Sequence, residues 1–476
     1  MNSFFWFDFE TFGVNPVKDK PSQFAGIRTD FNFNVIDDPV NIYCKPSDDF
    51  IPHPDACLIT GITPQIATEK GLIERDFFKQ IHLELSEPHT CAVGYNNIRF
   101  DDELVRHGFY RNFYDAYERE WQNGNSRWDI IDLLRMTHAL RPEGINWPVN
   151  EKGNVTFRLE KLTEANHIAH ENAHDALTDV YATIGMAKLV SQKQPKLYQF
   201  LLGLRDKRQV ATEVDPFKHT PFVHSSGMLG PKHHYTAIML PICQHPSNKN
   251  SVICLDLTKA NDGICELSPE QLEARIFTRQ EKLPEGVERL GVKEVHYNKC
   301  PAVAPLGVMN EQCQQRLEID LNACLERAKD LAPQLKDLAN KLRQVYQSHQ
   351  FPEVSNPDHA LYSGGFFSAA DKAKMARIRQ QDWTDLANNQ FHFSDQRLDE
   401  LLFRYRARNA PESLTNAERD AWQDFRRQQF FDPDGGSSLL YEDYKSRIQE
   451  LQQGAKNPEL LLRIESYVEQ LIASLN

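Results

Sequence analysis

"WFDFETFG", residues 6–13, sets two carboxylates, Asp8 and Glu10, in a run otherwise made of bulky aromatics. The alternation of aromatic and acidic residues predicts a β-strand, in which side chains two apart share a face. Two like charges side by side in a partly desolvated place repel and cannot both ionise cheaply. A divalent cation between them resolves the conflict, and its other ligands must come from elsewhere in the chain.

Two segments offer them. "GYNNIRFDDE" (94–103) places Asp101 just after a strand and turn, at the start of a helix. "NAHDALTD" (172–179) places His174 in a loop before a helix that carries Asp179. Hard cations such as Mg²⁺ take oxygen ligands, so carboxylates from distant segments are the expected cage. Two such ions roughly 4 Å apart activate a water and neutralise the leaving oxygen in phosphodiester hydrolysis. Histidine, whose unperturbed pKa lies nearest neutrality, suits the base that takes the water's proton. Asp8, Glu10, Asp101 and Asp179 would be the cage, and His174 the base. Each residue also has a plain structural reading. A lone acidic pair in a strand is a weak signal, Asp101 or Asp175 can cap a helix, and Asp179 can be a solvated helix residue.

Around this constellation, residues 1–190 read as an α/β domain. "IRTDFNFNVIDDPVNIYCKP" has the pattern of a hairpin, and "TPQIATEKG" that of a helix with Thr63 as N-cap, Pro64 at its first position and Gly71 as stop. "SRWDIIDLLRMTHAL" and "RLEKLTEANHI" have helical apolar spacing. The polar stretch at 191–199 marks a boundary, after which 200–348 carries short strand candidates such as "YTAIMLPIC", "SVICLDL" and "VKEVHYNKCPAVAP". These predict a small β-rich barrel with helical additions. "SHQFPEVSNPDH" marks the next boundary, and 351–476 is mostly of helical period, broken at "DPDGGSS".

The set "DFE", "NNIRFD" and "HDALTD" resembles the three motifs of the DEDDh 3′→5′ exonucleases. "SQFAGIRTD", "LITGITPQ", "ALRPEGINWP", "NAHDALTDVYATIGMAKLV" and "LLFRYRARN" extend the resemblance to the bacterial exodeoxyribonuclease I family over nearly the whole chain, including stretches with no catalytic need. The first motif here begins almost at the N-terminus, a departure that touches no motif. The resemblance implies a ribonuclease-H-like exonuclease domain, an SH3-like β-barrel domain and a helical C-terminal domain that together clamp single-stranded DNA and degrade it processively to nucleoside 5′-monophosphates, in DNA repair and recombination. It puts the metal ligands on Asp8, Glu10, Asp101 and Asp179 and the catalytic histidine on His174, with two Mg²⁺ ions for which Mn²⁺ can substitute. One ion would sit with Asp8, Asp101 and Asp179, the other mainly with Asp8 and Glu10. A 3′ exoribonuclease, served by the same acids, and a non-catalytic single-strand-binding scaffold are the alternatives.

Substrate contacts are expected at Glu10, Thr11 and Phe12, where a 3′-terminal nucleotide would sit, with Phe12 either stacking on a base or filling the core. "TGIT" (60–63) offers backbone N–H groups near a helix start, although capping alone would explain Thr63. Arg127 and Trp128 are candidates for phosphate and base contacts, with a core role for Trp128 as the other reading. The resemblance puts Arg158 on the DNA backbone. It also implies a groove for the acidic, Phe-ending tail of single-strand DNA-binding protein, with Arg141 as a candidate cation for the tail's carboxylate. Arg404, Arg406 and Arg408 beside Phe403 and Tyr405 suit either a single strand, by stacking and charge, or packing against acidic neighbours.

Composition bounds these readings. A chain of 476 residues exceeds one core and implies about two to four domains. Its 40% hydrophobic and 25% charged content is ordinary for a soluble globular protein. No apolar run approaches the roughly 18 residues of a membrane span, and the acids at Asp8 and Glu10 interrupt any signal-peptide pattern. Nine cysteines lack metal spacing, which suits a reducing, cytoplasmic setting. A net charge of −13 argues against a protein coated in nucleic acid by bulk attraction but not against a focused basic groove. The expected state is a monomer.

Overall fold

"WFDFETFG" ends strand β1 (Ser3–Thr11) of the computed structural model, which describes residues 2–170, 174–348, 354–454 and 457–475. β1 pairs antiparallel with β2 (Pro21–Thr29) and parallel with β4 (Thr90–Gly94), and β2 pairs with β3 (Val40–Tyr43). The order β3-β2-β1-β4 makes β1 a central strand, and both of its faces are covered. That explains the aromatics. Phe5, Phe7 and Phe9 enter one core with Phe24, Phe77, Phe78 and Leu104. On the opposite face come Phe4, Trp6, Asp8 and Glu10 in turn, with the Trp6 indole donating to the Thr29 hydroxyl at 2.8 Å. This face thus passes from apolar to acidic towards the carboxyl end of the strand. The β1–β2 register shifts between Glu10 and Thr11, an irregularity of the kind that re-aims side chains beside active sites.

The chain divides into two compact units. Residues 1–126, 170–183 and 353–476 form one, and residues 127–169 and 184–352 the other. In the first, the hairpin read from "IRTDFNFNVIDDPVNIYCKP" is β2–β3. Helix α1 (Pro64–Lys70) starts as its sequence predicts, with the Thr63 hydroxyl accepting from the Ile66 N–H, Pro64 in the first turn and Gly71 at its end. Helices α2 (Glu74–Ser86) and α3 (Asp101–Arg111) follow, with the first part of α4 (Ala176–Lys193), to Thr183. The C-terminal helices build onto this frame. Met375 and Ile378, with Leu398, Leu401 and Tyr405 of α5 (Arg397–Asn409), pack on Tyr110 and Phe113. Leu461, Ile464 and Val468 of α6 (Pro458–Ala473) pack on Phe12, Phe50 and Ile62. Burying each such side chain contributes about 1.5–3 kcal/mol, so two hydrophobic clusters hold the helical segment to the acidic strand's surroundings.

The second unit is built on an antiparallel sheet in the order Ala302–Pro305, Phe222–Ser225, Thr236–Gln244, Ser251–Asp256, Val292–His296. Three local readings change. "SRWD" is a strand (Ser126–Asp129), not helix, because Asp129 caps the following helix Ile130–Leu140 by accepting from the Ile131 N–H. The stretch 191–199 runs into a helix, Pro195–Gly203, since proline in a first helical turn forfeits no hydrogen bond. The long helical reading before residue 348 breaks at Asp320 and near Pro333 into three helices, Glu311–Leu317, Leu321–Leu331 and Leu335–Ser348. Residues 349–353, within the second boundary read from the sequence, lie outside the described residues. Among the described residues no helix is long and apolar enough to cross a membrane.

Candidate active site

The acids converge in the first unit. Asp8, Glu10 and Asp179 each offer an oxygen within 4.8 Å of the others, a spacing that suits one shared cation. β1 supplies two of them on one face, and the first turn of α4 supplies the third. Asp101 stands at the N-terminus of α3, buried, and accepts from the Phe9 N–H at 3.2 Å, the amide between the two strand acids. It lies outside the group of three but close enough to act on their charge.

Electrostatics shows what the group lacks. Burial, then Asp101, Glu10, Asp179 and Asp175, raises the Asp8 carboxyl well above its ordinary range. Burial, then Asp179, Asp101 and Asp175, pushes Glu10 up to about 9. Asp179 is raised by burial while His170 and His174 pull it back. A carboxyl raised as far as Glu10 holds a proton at neutral pH that a cation would displace. The donor set is all oxygen, so it fits Mg²⁺ or Mn²⁺ as hard ions.

His174 is exposed in the turn before α4, with its backbone in the left-handed region (φ 71°). Asp175 begins the helix, with its carboxylate accepting from the Thr178 N–H (3.2 Å). It also accepts from the Gln23 amide of β2 at 3.2 Å, and Gln23 lies across from Glu10 in the sheet. The same Gln23 accepts from the Ala176 N–H (3.4 Å), so one side chain ties the strand hairpin to the start of α4. His170 approaches Asp179 Oδ1 through Nε2 at 2.5 Å. Sequence reading passed over His170 and Gln23. The His-x-x-x-His spacing of 170 and 174 was the available signal for the first, and nothing local marked the second.

The expected substrate contacts fare unevenly. Phe12 is 1% exposed and packs on Phe50 in the core shared with α6, so it presents no face for stacking. Trp128 is 2% exposed and edges onto Tyr198, likewise a core residue. Both take the core reading that their sequence left open. The Thr11 hydroxyl donates to the Gly13 carbonyl at 2.5 Å and shapes the turn after β1. That turn is tied down by Asp19, which accepts from the Asn15 N–H (2.7 Å) and the Ser438 hydroxyl. In the second unit, Arg127 is buried and donates to the Asn298 carbonyl (2.9 Å). Arg158 is exposed at the start of helix Leu159–Ala165. Arg141 is half-buried and donates to the Leu140 (2.5 Å) and Val308 (3.4 Å) carbonyls.

The basic-aromatic segment resolves as packing. Arg408 is buried between Asp49 (2.8 Å) and Asp358 (2.5 Å), Arg404 pairs with Asp358 (2.8 Å) and lies over Phe425, and Arg406 pairs with Glu418 (2.6 Å). Their charge is spent inside the fold.

A central strand with paired acids, completed by an acid from a helix, is the frame of a metal-dependent exonuclease domain. Family comparisons agree: residues 5–186 match the model described as Exonuclease, 205–348 that of the Exonuclease I SH3-like domain, and 355–471 that of the Exonuclease I C-terminal domain. The chain is 47% identical over 427 residues to exodeoxyribonuclease I of Haemophilus influenzae, covering 89% of this chain and 90% of that one. It is 44% identical over 478 residues to that of Escherichia coli, covering 99% and 98%. Among solved structures it resembles a moderately thermophilic exonuclease I from Methylocaldum szegediense (TM-score 0.94, 45% identity, 99% and 100% covered). It resembles equally E. coli exonuclease I in complex with a dA16 oligonucleotide (TM-score 0.94, 43% identity, 99% and 100% covered). A zinc-bound complex of the E. coli enzyme with single-stranded DNA is also similar (TM-score 0.93, 42% identity, 99% and 100% covered). The chain belongs to the exodeoxyribonuclease I family.

Proposed function

We propose that this protein removes nucleotides one after another from the 3′ end of single-stranded DNA, releasing nucleoside 5′-monophosphates, with two Mg²⁺ ions as the resident cofactor and Mn²⁺ as a substitute. The observation that carries the reading is the approach of Asp8, Glu10 and Asp179 to within 4.8 Å in a chain whose relatives are exodeoxyribonucleases throughout its length. When bound, the ions supply Lewis-acid polarisation of the scissile phosphate and a more acidic water. Asp8, Glu10, Asp101 and Asp179 are the residues that would hold them. His174, exposed beside the acids on a short turn, takes the proton of the attacking water. Thr11 and Glu10 face the terminal nucleotide, and Arg158 contacts a phosphate of the strand behind it.

Arg141 belongs to a second surface, which receives the acidic tail of single-strand DNA-binding protein. The two carbonyls that fix its guanidinium support this, because a pre-oriented cation loses little freedom on meeting a carboxylate. The protein works as a cytoplasmic monomer in DNA repair and recombination.

The test is a 5′-labelled single-stranded DNA in Mg²⁺, with and without chelator, beside its RNA twin and its blunt duplex. Chelator-sensitive shortening of the single-stranded DNA from its 3′ end, with RNA and duplex spared, is expected. Preference for RNA would move the substrate to ribonucleotides, and no hydrolysis of any of the three would overturn the reading.

A further inference from the structure

His170 has no place in the chemistry described above, yet its side chain is only 6% exposed and its Nε2 stands 2.5 Å from Asp179 Oδ1. As a metal ligand Asp179 is ionised and only accepts, so in that form Nε2 carries the hydrogen of this bond. The contact matters because of what Asp179 must do. The other two acids of the group project from a central, hydrogen-bonded strand, whereas Asp179 comes from the first turn of a helix. The carboxylate torsion of an aspartate is broad and roughly two-fold, so the backbone alone does not fix its oxygens. An imidazole N–H on one oxygen does. It uses one of the lone pairs that a carboxylate offers and leaves the others for a cation. Ligating carboxylates are commonly held in this way, and loss of such a partner typically costs about 10–100-fold in metal affinity or activity.

We infer that His170 is a positioning residue for the metal site, holding the Asp179 carboxylate in the orientation that completes the cage with Asp8 and Glu10. This rests on the two-metal reading given above. It also has a clear opposite: a histidine seated on a ligand can instead compete with the metal, in which case removing it would tighten binding. The shared-lone-pair argument favours positioning.

The experiment is Mn²⁺ binding to the DNA-free protein, followed by titration calorimetry and by the electron paramagnetic resonance of free Mn²⁺, for the wild type, His170→Ala, His170→Gln and Asp8→Asn. Positioning predicts that His170→Ala weakens Mn²⁺ binding about 10–100-fold, and that His170→Gln, whose amide N–H can replace Nε2–H, recovers much of the loss. In turnover assays the activity lost in His170→Ala is regained by raising Mn²⁺, whereas that lost in His174→Ala is not. Unchanged or tighter Mn²⁺ binding in His170→Ala, with the wild type binding normally, overturns the inference alone. Failure of the wild type to bind Mn²⁺, or equal binding by Asp8→Asn, overturns the metal-cage reading itself. Melting curves in chelator, required to match the wild type within a few degrees, identify a folding defect, and His170→Gln then carries the test.

Discussion

Replacing Arg408 with methionine separates the two readings of the basic-aromatic segment by magnitude. Arg408 bridges Asp49 and Asp358, and all three side chains are almost fully buried, at 3%, 4% and 6% exposure. Asp358 would keep Arg404 at 2.8 Å, and Asp49 would keep the Ser47 hydroxyl at 2.5 Å and the field of the buried Lys20 but no ion pair of its own. Removing one partner of a buried pair costs about 3–5 kcal/mol because a charge is left uncompensated. With one acid still paired, the lower end applies. Loss of the guanidinium above Trp422 adds about 0.5–1 kcal/mol, so Arg408→Met should lose about 3–4 kcal/mol at pH 7. The pH dependence supplies a second check. Burial opposes ionisation of Asp49 and Asp358, yet Arg408 and its neighbours hold both carboxyls below their ordinary range. Folded pKa values below the unfolded ones contribute stability above the unfolded pKa, which is lost as pH falls through the folded values. In Arg408→Met, burial acts on Asp49 with only Lys20 and the Ser47 hydroxyl opposing it, so protonation relieves the variant, and its deficit should narrow between pH 7 and about 4. Urea unfolding followed by tryptophan fluorescence in chelator measures both, alongside affinity for single-stranded DNA. A loss under about 1 kcal/mol combined with a tenfold fall in DNA affinity would refute the packing argument and return Arg408 to the DNA.

Glu10→Gln should stabilise the metal-free protein at alkaline pH. A carboxyl raised to about 9 contributes stability below its unfolded pKa and loses it as pH rises through the folded value, so the wild type should melt progressively lower from pH 5 to pH 9 and the variant less so. For the same reason Mn²⁺ uptake at pH 7 should release protons, read from calorimetry in buffers of different ionisation enthalpy, and zero release would contradict the raised carboxyls. His174→Ala should lower turnover by about 10²–10⁴-fold while DNA affinity in chelator stays near the wild-type value; a small effect on turnover would remove it as the base. Gly13→Ala should lower turnover more than stability, because a Cβ there would meet Asp19 Oδ2 at 2.1 Å and break the tie that holds the turn after β1. Equal activity of this variant would show that the turn does not position the substrate.

The parts of this molecule that sequence revealed are those where one local pattern has one physical meaning. Alternating aromatics and acids read as a strand, and a Thr-Pro start with a glycine stop read as a helix. Asp8 and Glu10 were legible as a pair because strand geometry alone puts them on one face. The convergence of Asp179 was legible through the resemblance, since no local rule links residue 8 to residue 179. Phe12, Trp128 and Arg408 were ambiguous for a common reason: the same side chain serves a ligand or a core equally well, and only the direction in which its element faces decides. For Arg408 that direction depended on Asp49 and Asp358, which lie 359 and 50 residues away. Gln23 and His170 were silent because a hydrogen bond made across the fold leaves no periodicity. Both act at the α4 end of the acidic group, where Gln23 ties the start of the helix to the sheet and His170 contacts the Asp179 carboxylate. A cage of like charges is unstable without its cation, so its shape cannot be maintained by the charges it contains. It has to be imposed by hydrogen-bonding side chains around it, and those are the residues that sequence pattern is least able to reveal.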